Sequence, residues 1–114
     1  KTGVVGEANT GYAIVRPGAE LRDPDLAQRA EVVVAVERVD RSKLFRKMAA
    51  AHWAAGLTPK LAGAYYARQR LDRLPPGAWA QLPPRGPLYD DFAASAPAKK
   101  LEQLPASNTW MQLP

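Results

Sequence analysis

Along this chain the spacing of apolar positions shifts from an alternation of two to a period of three to four, and then loses any regular period. Residues 3 to 16 alternate loosely, with Val4, Val5, Tyr12, Ile14 and Val15 set around Asn9-Thr10-Gly11. Asn and Gly supply the positive φ of tight turns, so the pattern predicts strand, turn, strand, ended by Arg16-Pro17-Gly18. Asp23-Pro24-Asp25 then reads as a helix start, with Asp as N-cap and Pro at the first helical position. In the long stretch that follows, the VVVAV core is β-branched and suits a short buried strand as well. Its flanks, Leu26 to Arg29 and Lys43 to Ala51, are good helix formers, and helix is the expectation for the whole. Leu44, Phe45 and Met48 fall on one face, and Gly56 supplies the stop. Thr58-Pro59 opens a second helix that ends at Pro75-Pro76-Gly77, with Leu61, Tyr65 and Leu71/Leu74 as its apolar stripe. Residues 78 to 82, AWAQL, alternate as a short strand. Beyond Leu88 there is little pattern, and no internal repeat is visible.

These elements predict an α+β fold: an N-terminal hairpin, one long and one shorter helix packed together, and a strand after the second helix. Residues 1–88 form the expected domain. At 114 residues the chain fits one domain with a modest core. Of its eleven prolines, eight fall after residue 74. Residues 89–114 are therefore expected as an extended or disordered tail. Without cysteine the sequence holds no disulfide, thiolate zinc site or thiol nucleophile. No apolar run approaches the length of a membrane-spanning helix. The start at Lys1, without methionine, fits a mature chain whose targeting segment has been removed, as it fits any trimmed chain.

The net charge of +5 is concentrated between Arg38 and Arg73, which hold nine basic residues against Asp40 and Asp72. Arg38, Arg41, Arg46, Lys47, Arg68 and Arg70 are the candidate basic surface. It is either a solvated helical face or a surface for acidic partners and anionic lipid head groups. Nucleic acid is disfavoured, because no helix-turn-helix, zinc-finger or RNP pattern accompanies the arginines.

Catalytic chemistry finds little footing. Gly6 and Gly11 have the spacing that opens a P-loop, yet Tyr12-Ala13 stands where Lys and Ser/Thr would be, and Glu7 would repel phosphate. His52 is the only histidine, so a His-based triad or metal site lacks partners. The pair Asp23/Asp25 suits a helix N-terminus, and Asp90/Asp91 lies in a segment flanked by prolines. The expectation is a protein without catalytic residues, cofactor or metal.

Three motifs standing in one order resemble the YdbL-like family of small envelope proteins of Gram-negative bacteria. They are VGEANTGY (Val5 to Tyr12), then Arg41 with Phe45 and Ala49 on the long helix, then GAYYARQRLDRLPPGAW (Gly63 to Trp79). The chain departs from the family in extra residues between these motifs, in Glu37 or Arg38 where members carry Asn, and in the 26 residues past Leu88. The resemblance implies a fold role for Gly6, Gly11 and Tyr12. It also implies a periplasmic, chaperone-like accessory that assists assembly of an AsmA-like phospholipid-transport bridge and its small outer-membrane lipoprotein. On physical grounds, a small sheet with an open edge would accept a partner strand, with Val5, Tyr12, Ile14 and Trp79 as the candidate partner-binding residues. A second expectation is a small structural subunit of a large complex whose proline-rich tail wraps its neighbours.

Overall fold

Ala8 carbonyl accepts from Gly11 N–H at 3.2 Å and Ala8 N–H donates to Tyr12 carbonyl at 2.8 Å. Those two bonds define a three-residue hairpin loop whose last residue sits in the left-handed region, and Gly11 has φ 94°. The loop joins β1 (Val5–Glu7) to β2 (Ala13–Val15) as an antiparallel pair with Gly6 opposite Ile14. A side chain at Gly11 is excluded twice over, since a Cβ there would lie 2.4 Å from the Gly63 carbonyl oxygen. Gly63 returns the constraint: its Cβ would lie 2.2 Å from the Thr10 carbonyl oxygen. The hairpin loop therefore rests directly on backbone of the second long helix. The computed structural model describes residues 3–114.

A short helix α1 (Ala19–Arg22) leads into α2 (Pro24–Ala51), capped by Asp23, whose Oδ1 accepts from Leu26 N–H at 3.3 Å. The β-branched run is helical throughout. Only Val34 of its valines is buried, while Val32, Val33 and Val36 are about two-thirds exposed. The inward face of α2 is set by Ala27, Val34, Arg41, Phe45 and Ala49. Leu44 is turned outward and Met48 is half-buried, so only Phe45 of the expected trio reaches the core. After a 3₁₀ turn (Trp53–Ala55), Gly56 at φ 85° reverses the chain. Thr58 then caps α3 (Pro59–Arg73), its Oγ1 accepting from Leu61 N–H at 3.1 Å. The buried side of α3 is Ala62, Gly63, Arg68 and Leu71, and the expected stripe residues Leu61 and Tyr65 face solvent. Small residues are what the close hairpin contact requires there.

β3 (Trp79–Gln81) returns parallel to β1, with Glu7 opposite Ala80. The expected extended or disordered tail is instead folded. Its residues form most of α4 (Pro87–Ala93), then α5 (Ala96–Lys99) and β4 (Trp110–Gln112). The boundary expected at Leu88 falls inside α4. β4 pairs antiparallel with β3, completing a sheet of order β2-β1-β3-β4. Leu71, Ala80, Leu82, Phe92, Ala98, Met111 and Leu113 make one apolar cluster, so the tail supplies four of its seven buried members. Prolines open or precede these short helices, where the missing N–H costs nothing.

Candidate partner-binding site

The three ordered motifs converge beneath the hairpin. Arg41 on α2 donates to both Glu7 carboxylate oxygens, at 2.7 and 3.2 Å, and to the Gly11 carbonyl at 3.0 Å. Glu37, one turn earlier, lies 2.8 Å from the same guanidinium, and Arg70 approaches Glu7 at 3.6 Å. Burial alone would lower the Arg41 pKa, but the hydrogen bond and charge of Glu7, helped by Glu37 and Tyr66, raise it above its ordinary value. Beside this pair, Phe45 takes Tyr12 and Tyr66 edge-on, each with ring centroids 5.4 Å apart. Each contact adds about 0.5–1.5 kcal/mol beyond its burial. Tyr12 is held further by its hydroxyl on Ser42 at 2.9 Å and by the Arg38 guanidinium 4.1 Å over its ring.

The basic surface expected from sequence is divided by this arrangement. Arg41 and Arg68 are buried, at 8 % and 7 % exposure, and belong to internal ion pairs instead of a docking face. Arg68 is held by Asp72 at 3.0 Å and by Asp91 at 2.7 Å. Arg70 is half-buried beside Glu7. Arg38, Arg46 and Lys47 remain on the surface. A solvated partner must pay for charges that are already paired, which is why burial removes two of the six candidates.

Of the tentative strand-edge residues, Val5 and Trp79 sit on interior strands, and the expected free edge beside Trp79 is filled by β4 of the same chain. Trp79 instead lies under the Arg16 guanidinium, 3.8 Å from its ring centroid. The Arg16 pKa is lowered by burial and by the neighbouring Arg22. The hairpin's open edge is β2. Bonds Ala8 to Tyr12 and Arg16 to Val4 fix the alternation of the ladder, so Ile14 faces Gly6 and the N–H and C=O groups of Ala13 and Val15 point away from β1, with Val15 half-buried and Ala13 only 6 % exposed. Tyr12 and Ile14 contribute side chains, not backbone groups, at this edge. With Ala8, Thr10, Arg38, Pro59, Lys60 and Gln81 they line a cleft of about 530 Å³. The far edge of the sheet is β4, where the same alternation turns the Trp110 and Gln112 backbones outward.

Sequence reasoning named Ile14 and Tyr12 but missed Ala13 and Val15, because ladder phase depends on the loop's hydrogen bonds and not on side-chain type. Among the described residues no helix is long and apolar enough to cross a membrane. Neither family models, nor curated proteins, nor solved structures offer a match to this chain.

Proposed function

We propose that this chain is a non-enzymatic, periplasmic accessory that receives an extended segment of a protein partner at the β2 edge, and that it serves assembly of an AsmA-like intermembrane bridge and its small lipoprotein. The observation that carries the binding reading is the place of β2 at the end of the sheet beside the cleft of Tyr12, Ile14, Arg38 and Lys60, with the half-buried Val15 backbone turned away from β1 and that of the buried Ala13 turned the same way. An added strand gains its affinity from main-chain bonds and its specificity from pockets for alternate side chains, and this edge has both parts. Supporting the envelope role, the residues that carry the YdbL-like resemblance meet in one contact set: Glu7 on Arg41, Gly11 on Gly63, and Tyr12 on Phe45. The edge is three residues long, so the added strand forms only a few hydrogen bonds and the cleft must supply the rest of the affinity.

The reading of a structural subunit wrapped around neighbours by its tail loses its physical basis, since the tail is committed to this chain's own sheet and core.

The test is affinity purification of the tagged chain from gently crosslinked envelope, with mass spectrometry of what accompanies it. Recovery of an AsmA-like bridge protein or a small lipoprotein by the parent chain, and its loss with Ala13→Pro, supports the proposal. Proline is tolerated on edge strands where the nitrogen faces solvent, and because Ala13 is itself buried, circular dichroism must first show that the Ala13→Pro variant is folded. A partner retained by a folded Ala13→Pro variant contradicts the edge reading, and a different stoichiometric complex contradicts the envelope role.

A further inference from the structure

The outward face of α2 combines an apolar centre with opposite charges at its two ends. At 3.6 residues per turn, Asp25, Arg29, Val32, Val36, Val39 and Lys43 follow one another along that face, all exposed. Val33 widens the apolar stretch, and the four valines are 55 to 67 % exposed. Solvent-facing valine has no packing reason in a helix, where it costs χ1 freedom, and contiguous apolar patches mark interaction sites. The charges are polarised along the helix. With the internally paired Glu37 and Arg41 set aside, the first half carries Asp25 and Glu31 against Arg29, while the second carries Arg38, Lys43, Arg46 and Lys47 against Asp40.

We propose that this face pairs with the same face of a second copy, the two α2 helices running antiparallel. A two-fold axis level with residues 34 and 35 sets Val33 against Val36, Arg29 against Asp40, and Asp25 beside Lys43. It also brings the acidic helix start of one copy, Asp23 and Asp25, to the groove of about 550 Å³ that Asp40, Lys43, Leu44, Arg46, Lys47 and Ala50 line on the other, where three cations outweigh one carboxylate. A parallel pair would set basic half against basic half. The charge order along α2 therefore selects both the partner, a second copy, and its direction. The contact leaves the β2 edge out, so it stands independently of the function proposed above.

The full chain is examined by sedimentation equilibrium at low and moderate salt, with circular dichroism as the check on folding. A reversible dimer is expected. Val36→Glu, at an exposed position, should weaken it at least tenfold without loss of helix. Asp25→Lys and Lys43→Asp should each weaken it, and the double exchange should restore it. Three results overturn the proposal: a parent chain that stays monomeric at every soluble concentration, a dimer indifferent to Val36→Glu, or a double exchange that fails to recover. Sedimentation of a monomeric parent with phosphatidylglycerol vesicles, abolished by Val36→Glu, would assign the face to anionic membrane instead.

Discussion

The two ends of the sheet are held by different physics. Under the hairpin, an ion pair, two glycine contacts and an aromatic trio fix β1 and β2 against the helices. At the other end, β3 and β4 are held by apolar burial around Phe92 and Leu82, both fully inaccessible. The first arrangement specifies: each partner accepts little besides what is there, and its parts are visible as motifs. The second stabilises, and tolerates any apolar side chain of suitable volume. The consequence for function is that β3 is covered by the chain's own β4, and of the sheet's two edges, β4 and β2, it is β2 that lies beside the cleft of Tyr12 and Ile14.

Removing residues 109–114 should have the largest effect, because it strips β4, Met111 and Leu113 from the cluster and uncovers Ala80 and Leu82 together. The cooperative unfolding transition in urea is expected to disappear or to fall far below that of any single variant. Phe92→Ala follows, at about 3–5 kcal/mol for a fully buried ring, read from the same denaturation curve. Glu7→Ala leaves Arg41 buried with the half-exposed Glu37 as its remaining carboxylate, beside the neutral Gly11 carbonyl, and should cost about 3 kcal/mol. Its cost should change little with added salt, since the pair is sheltered from mobile ions. Asp91→Ala is the mildest. Its carboxylate is 66 % exposed, so about 0.2–1 kcal/mol is expected, shrinking as salt rises. If Asp91→Ala proved as costly as Glu7→Ala, the contrast between the two ends would not hold.

Local chemistry made much of this fold legible in the sequence. Asp23-Pro24 and Thr58-Pro59 cap helices because their side chains satisfy nearby N–H groups, and Gly11 turns the hairpin because it takes positive φ without strain. What the sequence did not reveal is non-local. α4, α5 and β4 are too short to show a period, and β4 gains its place only by pairing with β3, about thirty residues away. Two of the prolines that suggested disorder, Pro87 and Pro97, lie in the first turns of α4 and α5. Arg41 and Arg68 read as surface because charge usually does, though Glu37–Arg41 and Arg68–Asp72, each one turn apart, were the available signal of pairing. The proposed docking edge was half legible: Tyr12 and Ile14 could be named, while the backbone phase that turns Ala13 and Val15 away from β1 required the structure.

The claim at the centre of this account is that β2 is the edge at which partners are received. Its most direct test is photo-crosslinking in intact cells from two single positions, Thr10 in the cleft beside β2 and Gln112 on the β4 edge. The account predicts a discrete crosslinked species from Thr10, absent in the Ala13→Pro background, and none from Gln112. The same species from Gln112 with nothing from Thr10 would contradict it, and would place recognition at the end of the sheet that the tail completes.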